Sequence, residues 1–339
     1  ILMLAAVLIF GLLAGSALFA REAPEKEKAM KEQRLAKSAS EPIYQLLNIN
    51  NVWYWVENNG ESAHSRSGDS GIYYPRGMVW CIYKDGIKWS GRCYTDAAMT
   101  QSAPYGQLIR IGGCDYANGT REGWIDGIGA TAVRADPGDP RVRMYKIRRD
   151  YASAFVDAEG AWTTDMLRDA AEYHEGRVDA LSESEIQEVY DLYEQDWAEW
   201  PTDLGAPFID RDGDGVYTAP PPFSSTFTVD DLITGGYDEP GMAGGDPNSP
   251  ADQVMWNVAN DLDRNRTIAM EGSEPIGLEV QRTIWGYKRT DALGSIFFRQ
   301  TLLINKGGVD IDESGTKGSL WIKDMYVGQW SDPDLGAFS

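Results

Sequence analysis

The stretch Trp197–Tyr217, reading WAEWPTDLGAPFIDRDGDGVY, limits what this chain can fold into more than any other. Pro201 ends a helical pattern there, because proline lacks an N–H and clashes inside a helix. Asp210, Asp212 and Asp214 then alternate, with Gly213 and Gly215 between and after them. Alternation sets three carboxylates on one side of a tight curl, and the glycines permit the positive backbone angles that curl it. Hard oxygen ligands at that spacing suit Ca²⁺, which takes about six to eight oxygens. The register follows the first half of an EF-hand calcium loop. Asp210, Asp212 and Asp214 stand at positions one, three and five, Gly215 at six, and the Val216 main-chain carbonyl at seven. Pro221 stands where position twelve requires a bidentate Glu, so the loop is no EF-hand. A remote carboxylate has to complete the shell: Asp230, Asp231 or Asp238. The competing expectation is a plain Asp/Gly turn, which the same residues favour. Arg211 lies between the acids, and alternation is expected to turn it outward.

The sequence on both sides of this loop reads as strand and turn. Asn51–Val56 is aromatic and β-branched, and Asn58-Asn-Gly60 follows as a turn. Met78–Tyr83 and Ile87–Trp89 flank Asp85-Gly86, a short-hairpin signal. Leu108–Ile111, Val142–Ile147, Val254–Asn257, Leu278–Tyr287, Ser295–Ile304 and Ser319–Met325 read as further strands. Between residues 151 and 200 the period changes. Thr164 can cap a helix running to Tyr173. Ser182 and Glu185 form a capping box, and Ile186, Val189, Tyr190, Tyr193 and Trp197 recur at helical spacing. Ala219–Ser249 is rich in Pro, Gly, Ser and Asp and reads as a surface excursion. The expectation is a mainly β fold, an antiparallel sandwich-like assembly with a helical insertion at about 151–200.

The organisation expected is a signal peptide over 1–20, a charged helical spacer over 21–42, β-rich sequence over 43–150, a helical insertion over 151–205 and a second β-rich region over 206–339. Ile1–Ala20 is uncharged, apolar and ends in small residues before Arg21, as a secretory signal does. An uncleaved membrane anchor is the alternative, since about 20 apolar residues span a bilayer. Membrane contact is expected only through this segment during export. The last residues, Asp332-Pro-Asp-Leu-Gly336, read as mid-domain sequence, so more chain is expected beyond them.

Function classes narrow with charge. Lys plus Arg is 31 against 52 Asp plus Glu, a net charge of −21. That argues against nucleic acid, whose recognition needs a basic face. It favours cation binding and an extracellular partner. His64 and His174 are the sole histidines, which removes most metal-hydrolase and Ser-His-Asp readings. Cys81, Cys93 and Cys114 lack zinc-type spacing. If Asp85-Gly86 turns a hairpin, Cys93 overshoots Cys81, and any disulfide should join Cys93 to Cys114.

Several phrases occur together in order: GIYYPRG (Gly71–Gly77), RIGGCDYANGTREGWI (Arg110–Ile125), RVRMYKIRRDY (Arg141–Tyr151), WPTDLGAPFIDRDGDGVY, DEPGMAGGDPNSPADQVMW (Asp238–Trp256), NDLDRN (Asn260–Asn265), PIGLEVQRTIWGYKR and QWSDPDLG. In this the chain, from about residue 45 onward, resembles a family of large, poorly characterised bacterial secreted proteins. Many members carry a C-terminal sorting domain for type IX secretion. The resemblance implies export and a cell-surface or extracellular place, and no established reaction. The chain departs from the family at Cys114, where a non-cysteine polar residue is expected, and no sorting-domain sequence is read within these 339 residues.

Other constellations compete with the Asp210 loop. Asp261, Asp263 and Asn265 repeat the alternation, but Arg264 and Arg266 point to a salt-bridged turn. Asp332 and Asp334 form a third acidic turn. Glu279 lies mid-strand, where a glycosidase keeps one of two carboxylates about 5–10 Å apart; a solvated strand-face Glu paired with Arg282 or Lys288 is the commoner case. Trp53, Trp55, Trp80 and Trp89 are candidates for a carbohydrate platform, although Trp53 and Trp55, on one strand face, are more often core. The leading expectation is a secreted or cell-surface, non-catalytic structural or adhesion-type module stabilised by Ca²⁺. A carbohydrate-binding module with a glycan partner is the alternative, and a glycan-active hydrolase the next.

Overall fold

Aromatic and β-branched side chains dominate the first strands. In the computed structural model, which describes residues 43–116, 119–221, 229–243 and 249–336, they pair from Tyr44 onward. The expected signal segment 1–20 and the spacer 21–42 lie outside the described residues. Residues 42–65 and 69–339 form one unit, which holds all of the described strands and helices.

The chain runs β1 (Tyr44–Leu47), β2 (Trp53–Glu57), β3 (Ile72–Tyr73), β4 (Trp80–Tyr94), β5 (Ile109–Gly113), β6 (Arg121–Glu122), β7 (Ile125–Asp126), β8 (Val133–Arg134) and β9 (Tyr145–Arg148). Helices α1 (Tyr151–Phe155), α2 (Thr164–Tyr173) and α3 (Glu183–Ala198) follow. Then come β10 (Phe208–Ile209), α4 (Val229–Gly235), β11 (Glu239–Pro240), β12 (Gln253–Asn260), α5 (Arg264–Glu271), β13 (Leu278–Gly286) and β14 (Phe297–Asn305). A small hairpin, β15 (Val309–Asp310) and β16 (Lys317–Gly318), precedes β17 (Trp321–Pro333).

All the strand pairs are antiparallel. One sheet has the order β1-β2-β3-β4-β17, with β5 also on β4. A second has the order β14-β13-β12-β6, with β9 also on β12, and β7-β8, β10-β11 and β15-β16 form two-stranded ribbons. The fold is therefore mainly β with antiparallel sheets, as expected. Strand β12 is buried at every position, which is why its sequence reads as a continuous run and not as alternation. Leu47, Tyr54, Val56 and Ile72 of the first sheet share a core with Met255 and Ile284 of the second. Trp89 and Cys93 likewise meet Leu278 and Val280.

The helical insertion forms where the period changed. Thr163, one residue before the expected cap, accepts from the Met166 N–H at 3.3 Å. Ser182 Oγ accepts from Glu185 N at 3.3 Å while Glu185 returns the bond to Ser182 N at 2.8 Å, the reciprocal pair of a capping box. Ile186, Val189, Tyr193 and Trp197 are buried and join Trp55, Tyr145 and Trp256 in the largest core. The insertion thus shares a core with both sheets. Asp196 on its inner face bonds Arg143 and the Lys146 N–H, and burial pushes its carboxyl up to about 7.

Two expectations are corrected. Asp85-Gly86 is no turn, because β4 runs straight through it. The local signal lost to tertiary partners. Asp85 is buried and meets Ser62, Tyr54 (3.2 Å), Gln329 (3.1 Å) and Arg299 (3.4 Å). A Cβ on Gly86 would lie 2.6 Å from the Cys114 sulfur and 2.9 Å from Trp330 Nε1, so glycine is needed for close approach. The Cys93–Cys114 pairing falls with the hairpin, and all three thiols are free. Cys114 N bonds Ile87 O, six residues along β4 from Cys93, which is roughly 20 Å at ~3.3 Å per residue.

Candidate metal centre

Strand β10 delivers the chain to the acidic loop. Phe208 and Ile209 pair with Pro240 and Glu239 of β11, and Ile209 is buried, so Asp210 starts from a fixed point. The Asp210 carboxylate accepts from Gly213 N at 2.6 Å and from Gly215 N at 2.9 Å. Asp212 accepts from Asp214 N at 3.1 Å, and Asp214 from Val216 N at 2.7 Å. Gly213 and Gly215 have φ of +80° and +77° with open space where a Cβ would stand, so their role is conformational. One oxygen from each of Asp210, Asp212 and Asp214 lies within 4.8 Å of the others. Two oxygens on opposite sides of a calcium ion are about 4.8 Å apart, at roughly 2.4 Å each. The three expected acids therefore converge, and their donor set fits a hard divalent cation. All three are exposed, leaving a side open to water.

The neck below the loop is buried and closed by one carboxylate. Asp238 is 0 % exposed and accepts from Arg211 N and Thr218 N, both at 2.7 Å. Its own N–H donates to Thr218 O at 3.0 Å. Both of its oxygens are thus used by the backbone, so Asp238 is a neck clamp and not the remote ligand of the triad. Arg211 does not turn outward as expected: the buried Glu239 draws it inward, its Nη2 meeting that carboxylate at 2.7 Å, and Glu239 also binds Arg149. Among the described residues no ion pair engages Asp210, Asp212 or Asp214. Asp231 is exposed on α4, and the Asp230 side chain lies outside the described residues. The Val216 side chain is exposed.

A second curl of the same kind joins β15 to β16, and sequence reasoning missed it. Asp310, Asp312, Ser314 and Gly315 occupy positions one, three, five and six. Asp310 accepts from Glu313 N at 2.9 Å and from Gly315 N at 3.2 Å, and Asp312 accepts from Ser314 N at 2.9 Å. The D-x-D-x-S-G spacing was the available signal. Tyr105 Oη donates to Asp310 at 2.6 Å and holds its carboxyl below the usual range. The Thr316 and Ser314 hydroxyls do the same for Asp312.

The remaining candidates are structural. Asp261 is buried and accepts from the backbone N–H groups of Ile276, Gly277 and Leu278 at 2.7–2.9 Å, while burial pushes it up to about 6. Asp263 caps α5 and binds Arg121 at 2.9 Å and Arg134 at 3.2 Å; Arg264 goes to Glu274. Asp334 meets Ser70 at 3.3 Å and Asp332 meets Tyr116. Glu279 is neither solvated nor paired with Arg282 or Lys288. It is buried, accepts from Ile125 N at 2.7 Å and faces Lys306 at 3.4 Å. Trp55 and Trp89 are buried, and Trp53 packs edge-on against Tyr73 at 5.2 Å. Trp80 is half-buried against the same Tyr73.

No helix among the described residues is long and apolar enough to cross a membrane. Comparison of the chain with protein-family models, with curated proteins and with solved structures returned no match.

Proposed function

We propose that the protein is a secreted or cell-surface, non-catalytic structural or adhesion-type module whose two sheets form a sandwich-like pair and whose Asp210 loop is ordered by Ca²⁺. The observation that carries the ion is the convergence of three exposed carboxylates with no cationic side chain among the described residues to balance them. Like charges at that separation repel unless a cation intervenes. Carboxylate oxygens, water access and a flexible glycine curl suit Ca²⁺ better than the strict octahedron of Mg²⁺. Export and surface placement rest on the resemblance of the chain's phrases to secreted bacterial proteins. The non-catalytic reading is supported by the acid pair nearest to hydrolase chemistry, Glu57 and Glu61. Glu61 is pushed up to about 7, first by burial and then by Glu57, yet both lie beneath the surface.

Calcium titration followed by melting tests the reading. At a hundredfold excess over Kd a single site stabilises by about 2.7 kcal/mol, roughly a 5 °C rise for a chain of this size. Asp212→Ala should abolish the rise. Equal melting in calcium and in chelator would overturn the reading.

A further inference from the structure

We propose that the outer face of the first sheet carries a saccharide-binding groove between Tyr326 and Trp330. This site is separate from the acidic loop and does not depend on calcium.

The register of β17 creates it. Pairing with β4 shifts between Lys323 and Tyr326, and Asp324 takes φ of +52°, marking a bulge. Before the bulge Ile322 points inward and packs beside Trp89. The extra residue passes the outward register to Tyr326, Gly328 and Trp330, opposite Ser90, Lys88 and Gly86 of β4. Bulges re-aim side chains in this way beside functional sites. Two aromatic rings then stand roughly 13 Å apart, four residues at ~3.3 Å each, with Gly328 between them. Nothing lies within 4 Å of a Cβ built on Gly328. The resulting groove has a volume of about 420 Å³, inside the range of roughly 300–1,000 Å³ for small-ligand sites.

The two walls differ in a useful way. Trp330 is anchored: Nε1–H donates to Cys114 O at 2.5 Å, its ring lies over Gly86, and Tyr116 packs 5.1 Å away. Tyr326 is 74 % exposed, so its ring is free to take a ligand. Beside the floor, Lys88 is bound by Asp115 at 2.6 Å and by Glu271. One cation against two carboxylates leaves no surplus positive charge, so a phosphate or nucleic acid is disfavoured. The groove lies on the sheet face, where side chains are presented, and is distinct from the free backbone edge of β17, which pairs with β4 alone among the described strands. What fits is a neutral, flat, polyhydroxylated ligand. Its C–H faces pack on the negative faces of the rings, and its hydroxyls reach Glu271 and Lys88, which line the groove and offer an acceptor and a donor.

Affinity electrophoresis of the full chain through gels of xylan, hydroxyethylcellulose, galactomannan, laminarin and denatured casein tests this. At least one polysaccharide should retard the wild type. Tyr326→Ala, which removes an exposed ring, and Gly328→Phe, which fills the open floor, should each weaken that binding at least tenfold without moving Tm. Retardation by none of the polysaccharides overturns the proposal. So does retardation that both variants preserve. Casein binding lost in both variants, with no polysaccharide retarded, would assign the groove to polypeptide and also overturn it.

Discussion

The loops at Asp210 and Asp310 make the same curl with different charges. In each, the first Asp accepts from the third and fifth following N–H groups, and the second Asp accepts two residues on. The backbone shape therefore follows from side-chain-to-backbone bonds and from glycine, with no ion required. Position five separates them: Asp214 brings a third carboxylate, while Ser314 brings a neutral hydroxyl that is itself bonded to Asp312 at 2.7 Å. Their supports differ as well. The first loop stands on a buried carboxylate, Asp238, and the second is tethered by the exposed Tyr105. A repeated spacing is thus evidence for a turn, and the uncompensated third charge is the evidence for a cation.

The largest effect should come from the neck. Asp238→Ala leaves two backbone N–H groups at a buried site without an acceptor, and should cost about 3–4 kcal/mol in chemical denaturation. A loss below about 1 kcal/mol would mean that the loop does not rely on its clamp.

Exchanging position five comes next. Asp214→Ser should remove the calcium-dependent rise of roughly 5 °C, and Ser314→Asp should add a second, weaker calcium response. Calorimetric titration of both variants checks this. An unchanged response in Asp214→Ser would show that charge at position five is not what recruits the ion.

Titration separates the loops from the core. Asp196 and Asp261 have folded values raised to about 7 and about 6 by burial. A raised carboxyl contributes stability below its unfolded value near 4, and that contribution is lost as pH climbs through 6–7. Asp310 and Asp312 are lowered, so their contribution is present above about 4 and fades only below it. In chelator, melting should therefore fall between pH 4.5 and 7.5, and Asp196→Asn should flatten that fall by about 1–2 kcal/mol. A flat wild-type profile would remove Asp196 from this role. The smallest effect belongs to Tyr105→Phe, which deletes an exposed tether and should shift the melting temperature less than any other variant here.

Strong local patterns were legible. The Ser182–Glu185 box and the stripe from Ile186 to Trp197 needed no distant partner to be read, and the structure carries both. The Asp210 triad was legible because three identical side chains alternate between glycines. Asp85-Gly86 misled because its meaning depends on Ser62, Arg299 and Trp330, all remote in sequence. The Asp310 curl was missed because Ser314 dilutes the acidic pattern. Asp238 stood only as one of three candidate remote ligands, since nothing local reveals two N–H groups converging on it. The Tyr326–Trp330 groove was hidden by a bulge, which inverts facing without changing composition.

The single carboxylate at the neck has a dynamic consequence. Arg211 and Thr218 donate to the two oxygens of one carboxylate, so displacement of that side chain frees both amides at once. When Asp238 swings away, both lose protection in one event. Hydrogen exchange should then record one opening free energy for the two amides, at the low end of the molecule's spectrum of local openings. Whatever tightens the curl would raise the protection of both amides together.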